Sequence, residues 1–146
     1  MPKVLISDAM DSIAEKILLS NNIEVDVITD YSLEDLIANI STYDGLIVRS
    51  ATKVTKEIIE KAKNLKIIGR AGAGVDNIDL LSAKEKNIIV MNTPGGNTNA
   101  TAEHTLALLL SLSRKIFKAN ITTHRGEWAK KKLKGNEIRG KTLGVI

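Results

Sequence analysis

Five short apolar runs recur at intervals of about 20 residues, and segments of helical periodicity lie between them. The runs are Lys3–Ser7, Ile23–Thr29, Gly45–Val48, Lys66–Ile68 and Ile88–Met91. Few architectures satisfy such alternation. Parallel neighbours need a crossover, and crossovers are nearly always right-handed. The expected fold is therefore α/β, a small doubly wound parallel sheet with helices on both faces. Gly45-Leu46-Ile47-Val48 is apolar throughout and reads as a central strand. Ile23–Thr29 alternates with Glu24 and Asp26 and reads as a strand near an edge.

Helix starts follow from capping chemistry. Asp8 or Asp11 is placed to cap a helix carrying Ile13, Ile17 and Leu18. Ser32 opens one carrying Leu33, Leu36, Ile37 and Ile40, Thr55 opens Lys56–Asn64, and Asp79–Lys86 makes a fourth.

After the fourth strand comes GRAGAGVDNID, Gly69 to Asp79. Gly69, Gly72 and Gly74 are costly in regular structure, so they imply positive φ or a close backbone approach. Successive bare amides at the carboxyl end of a strand form a concavity for an anion. A tight strand-to-helix turn with no ligand explains the same glycines. Gly72-x-Gly74 begins like the dinucleotide fingerprint, but Asn77 stands where the third glycine belongs, so the turn is not read as a pyrophosphate site. Arg49 ends the third strand one position along the same edge, and its planar fork suits a carboxylate or phosphate. Ser50 and Thr52 add hydroxyls there, or cap the next helix.

At Asn92–Asn97 a Pro and paired Gly mark a hinge. A helix is expected from Thr98 to about Thr123, with a stripe of Ala102, Leu106, Leu109, Leu110 and Phe117. Thr142–Ile146 reads as a new strand with no helix after it, which looks truncated. The expected domains are 1–94 and 95–146, the second not compact by itself. His104 and Glu103 read as helix residues, Glu103 partly buried, and His124 as a solvent-facing helix end.

The net charge of +4 is uneven: Arg114–Lys141 holds ten Lys/Arg against two Asp/Glu. A basic segment suits nucleic acid or an anionic cofactor, or is a solvated face. Only Phe117 and Trp128 are aromatic there, so nucleic acid is not expected. No apolar run reaches the ~20 residues that span a bilayer, no membrane association is expected, and the start is a strand pattern rather than a signal peptide. Cytoplasm is the expected location. There is no cysteine, and no metal-ligand, P-loop or serine-nucleophile motif.

RSATKVT (Arg49–Thr55), GRAGAGVDNID, VMNTPGGNT (Val90–Thr98), AEHTLALLLSLSR (Ala102–Arg114), GEW (Gly126–Trp128) and GKTLGVI (Gly140–Ile146) occur in that order. In this combination the chain resembles the D-isomer-specific 2-hydroxyacid dehydrogenase family, in particular members that oxidise 3-phospho-D-glycerate. The resemblance implies a flavodoxin-like substrate domain followed by the truncated start of a Rossmann cofactor domain. It implies NAD as cofactor, 3-phosphoglycerate as the small anionic substrate, a place at the entry to L-serine synthesis, and a homodimer or tetramer in the complete protein. Carried over by position, Arg49 and Ser50 face the substrate's phosphate or carboxylate. The amides of Gly74 and Val75, and of Ala73, hold its carboxylate. Ala73 and Thr101 match cofactor contacts, and Lys130 matches a basic position approaching a neighbouring active site. The family's catalytic Arg, Glu and His match no residue of this chain, so the chain alone is expected to be inactive. A glyoxylate or hydroxypyruvate reductase of the same family, or a non-catalytic flavodoxin-like binding or dimerisation module, are the alternatives.

Overall fold

In the computed structural model, which describes residues 1–145, the chain divides into two units, Met1–Gly96 and Asn97–Ile146. The first holds strands β1 (Lys3–Ile6), β2 (Glu24–Val27), β3 (Gly45–Val48), β4 (Ile67–Arg70) and β5 (Ile89–Asn92), all parallel, in the order β2-β1-β3-β4-β5. The apolar β3 lies at the centre and the mixed β2 at an edge, as their patterns require.

Register explains the core. Asp26, Leu5, Leu46, Ile68 and Val90 form one row across the sheet. Leu5, Leu46 and Ile68 are fully buried with Ile40, Val54, Ile58 and Ile59. This face is covered by α2 (Leu33–Asn39), α3 (Lys56–Lys61) and α4 (Leu80–Glu85), which pack side by side. The other face carries Val4, Ile47, Ile67, Ile89 and Met91. Helix α1 (Ile13–Ser20) reaches it beside β2 but buries no residue of its own. Helices on both faces were expected; the covering is lopsided.

Helix starts differ from expectation in two places. Ser32 and Asp35 form the reciprocal capping box anticipated for α2. Asp11 accepts from the Ile13 amide at 2.9 Å at the start of α1. Asp8 is no cap: its carboxylate turns to another loop. Thr55 precedes α3 without a side-chain cap bond.

The second unit departs further. The long helix is broken into α5 (Thr98–Ser113) and α6 (Ile116–His124) by Lys115, whose φ of 55° is left-handed. Apolar periodicity on both sides of the break hid it. Glu103, expected to be partly buried, is exposed, as is His104. The Asn136 amide donates to the Ser113 carbonyl at 2.8 Å, folding the following segment back on the end of α5. The segment thus forms a contact unit of its own, against expectation, although none of its described residues is buried. The strand expected over Thr142–Ile146 is not formed at Thr142–Val145, because no neighbouring strand pairs with it. Ile146 lies outside the described residues. No helix among the described residues is long and apolar enough to cross a membrane.

Candidate functional site

The parallel strands of the first unit all end at one edge, and the loops after β1, β3 and β4 meet there. This is where open α/β sheets bind ligands, because helix N-termini and unpaired strand-end groups converge at it. The 2-1-3-4-5 order puts the switch of direction between β1 and β3.

Arg49 and Ser50 leave β3 exposed at this edge. The Arg49 guanidinium is steadied by one bond, Nη1 to the Ala9 carbonyl at 3.0 Å, and is otherwise open to solvent. The turn Ala71–Asp76 follows β4, the neighbouring strand. Among the described residues, the backbone N–H groups of Ala73, Gly74 and Val75 donate to no protein acceptor. Three consecutive unpaired donors and an exposed guanidinium, on the loops after adjacent strands, are groups of positive potential suited to a carboxylate or phosphate.

Of the two expected reasons for the glycines, close approach holds and positive φ does not. Gly69, Gly72 and Gly74 do not adopt positive φ; the positive-φ glycines are Gly95, Gly126 and Gly140. What the turn needs is room. A Cβ on Gly74 would stand 3.0 Å from Asp76 Oδ1 and 3.2 Å from Arg70 Nη1, and one on Gly72 would stand 3.4 Å from Arg70 Nε. The Arg70 side chain runs beneath the turn, only 11% exposed, and pairs with Asp76. That bond holds the Asp76 carboxyl below its ordinary range. The far side of the turn is tied to the end of β5: Asn92 Nδ2 donates to the Ala73 carbonyl at 2.6 Å and the Thr93 amide to the Gly72 carbonyl at 3.0 Å.

Thr101 lies exposed in the first turn of α5, and Lys130 is exposed in a 3₁₀ turn, Lys130–Leu133. Both belong to the second unit. The first unit holds Arg49, Ser50, Ala73, Gly74 and Val75 on the loops after the adjacent strands β3 and β4. Arg70, Asp76, Asn77, Asn92 and Asp8 were not singled out as site residues in the sequence. A polar residue directly after an apolar strand was the available signal for Asp8 and Asn92.

Among the described residues, the glycine turn does not form a dinucleotide cradle. Gly72 and Gly74 face the Arg70 side chain where a pyrophosphate-binding turn would be open, and Ala73 presents only backbone.

A five-stranded parallel sheet of order 2-1-3-4-5 with flanking helices defines a flavodoxin-like α/β domain. The description "D-isomer specific 2-hydroxyacid dehydrogenase, catalytic domain" matches residues 4–141, and the chain belongs to that family. Among its relatives, the D-3-phosphoglycerate dehydrogenase of Archaeoglobus fulgidus is 50% identical over 144 residues, 99% of this chain and 27% of that protein. The human D-3-phosphoglycerate dehydrogenase is 47% identical over the same share of each. The NAD⁺-bound 3-phosphoglycerate dehydrogenase structure of Entamoeba histolytica superposes with a TM-score of 0.71 at 40% identity, covering 80% of this chain and 40% of that one. The chain thus spans little more than a quarter of the length of these curated relatives.

Proposed function

We propose that this chain is the substrate-gripping part of an NAD-linked dehydrogenase that oxidises 3-phospho-D-glycerate to 3-phosphooxypyruvate. The observation that carries the reading is that the exposed Arg49 guanidinium and three unpaired amides, Ala73 to Val75, both leave the carboxyl ends of adjacent parallel strands. A substrate with an anion at each end needs two such grips. The relatives named D-3-phosphoglycerate dehydrogenase support this choice of substrate.

In this reading Arg49 and Ser50 take one anionic group of the substrate. The amides of Gly74 and Val75, with Ala73, take the other. Lys130, by its match to the family, approaches the neighbouring active site of a dimer. Two-point binding orients C2 and its hydrogen, converting a bimolecular encounter into an ordered one. Bound NAD⁺ supplies the hydride acceptor. By their match to the family, Ala73 offers it backbone contacts and Thr101 a contact on the nicotinamide side. The catalytic acid–base groups are not assigned to this chain.

Titration of the intact protein with 3-phosphoglycerate and with NADH, separately, tests the reading. Saturable binding of the phosphoglycerate that weakens in Arg49→Ala is expected. Binding of neither ligand would overturn it. The purified 146-residue chain is expected to show no oxidation of 3-phosphoglycerate; turnover above background would place acid–base groups within it.

A further inference from the structure

Two side chains outside the anion-facing set hold the loop that presents Arg49, and they act on the same two residues. Asp8, 6% exposed after β1, takes the amide side. Its carboxylate accepts from the Arg49 amide at 2.5 Å, the Thr52 amide at 3.1 Å and the Thr52 hydroxyl at 2.6 Å. Asn77 takes the carbonyl side. Its Nδ2 donates to the Arg49 carbonyl at 2.7 Å and the Thr52 carbonyl at 2.6 Å. Two carbonyl oxygens can be met only by the nitrogen of a carboxamide, so the orientation of Asn77 is fixed.

A four-residue loop off the end of a strand normally has solvated, mobile polar groups. Here both ends are fastened at N–H and at C=O. Asn77 is also two residues past Val75, directly after the glycine turn. Its own carbonyl accepts from the Val54 amide at 2.8 Å, and the Asp79 amide donates to the Val54 carbonyl at 2.9 Å. Loop and turn are joined at Asn77.

We propose that Asn77 is a positioning residue, with Asp8 as its counterpart: it touches no ligand, but sets the spacing and direction between Arg49 and the amides of Ala73, Gly74 and Val75. This rests on the function proposed above. A fixed spacing matters when two anionic groups must be gripped at once. The carboxamide supplies two donors from one short side chain. Aspartate supplies none and would face two carbonyl oxygens; serine supplies one.

The test is a double-mutant cycle in the intact dehydrogenase. Asn77→Ala should raise the KM for 3-phosphoglycerate about tenfold, the scale of one well-formed hydrogen bond, with kcat changed less than about threefold. The KM for NAD⁺ should not move. In an Arg49→Ala background the same change should cost less than about twofold, because no guanidinium is left to aim. Asn77→Asp should be worse than Asn77→Ala, and Asn77→Ser milder. Equal losses in both backgrounds, or a lowered melting temperature with an unchanged KM, would overturn the proposal. Should Asn77→Ala fail to fold, Asn77→Ser carries the same cycle. Wild-type protein inert toward 3-phosphoglycerate would refute the functional reading instead. The positioning role is then read with inorganic phosphate, by nuclear magnetic resonance. Phosphate should shift the Arg49 signals in wild type and more weakly in Asn77→Ser; equal shifts in both would overturn it.

Discussion

Arg70 reaches beneath the glycine turn to pair with Asp76, six residues further on, while its Nε is buried without a partner among the described residues. The turn is thus shaped by an ion pair that needs the space beside Gly74.

Gly74→Ala tests that space. The added Cβ falls within 3.2 Å of both members of the pair. Asp76 is exposed and can swing away, so the fold should survive, with a stability loss below about 1 kcal/mol. The amides would lose their fixed direction, and the KM for an anionic substrate should rise several-fold. Unchanged KM would show that the turn is structural alone.

Arg49→Ala removes an open guanidinium from the edge. Substrate binding should weaken by about 1.5–3 kcal/mol, the range of a hydrogen bond to a charged group. Stability should barely change, because the side chain makes a single bond, to the Ala9 carbonyl. The Michaelis constant and a urea titration check the two halves separately.

Asp8 gives a pH dependence of definite sign. Burial pushes its carboxyl up, but the Thr52 hydroxyl and the amides of Arg49, Thr52 and Ala51 together hold it below the ordinary aspartate value of 3.8. A carboxylate depressed in the folded state stabilises above its unfolded pKa and loses that contribution as pH falls through the folded one. Asp8→Asn should therefore cost about 2 kcal/mol at pH 7. The gap from wild type should close only below pH ~3.8. Urea midpoints at pH 7 and pH 3 would show a constant gap if the bonds to Asp8 were not formed.

Tyr43→Phe addresses the opposite end of the sheet. The buried Tyr43 hydroxyl donates to Asp26 at 2.8 Å, and Lys3 Nζ lies 3.0 Å from the same carboxylate. Burial and the Asp26 bond raise the Tyr43 hydroxyl well above the usual phenol, while Tyr43 and then Lys3 lower Asp26. Removing the hydroxyl should cost about 1 kcal/mol and leave substrate binding unchanged. An altered KM would mean that strain here reaches the site.

The sheet was legible in the sequence because its information is local. Apolar Leu46 and Ile68 mark buried strands, and Glu24 and Asp26 mark the edge. Arg49 and the glycine turn could be placed at one edge from strand ends alone. Asp8 was misread as a helix cap because capping is a short-range pattern, whereas its partners lie 41 and 44 residues away. Asn77 drew notice only as the glycine that was not there; its bonds span 28 and 25 residues. Such pairings become visible only once the crossovers bring the loops side by side.

The left-handed backbone at Lys115 changes what can recognise the second unit. One unbroken helix over this segment would be a rod of nearly 40 Å, able to lie along a straight partner in a seven-residue zipper register. With α5 and α6 separated, that register cannot run through Lys115. The leucines of α5 and the Ile116–Phe117 pair of α6 belong to two short lever arms meeting at an elbow. A complementary surface has to bend where the chain bends, so recognition here reads the corner as well as the side chains.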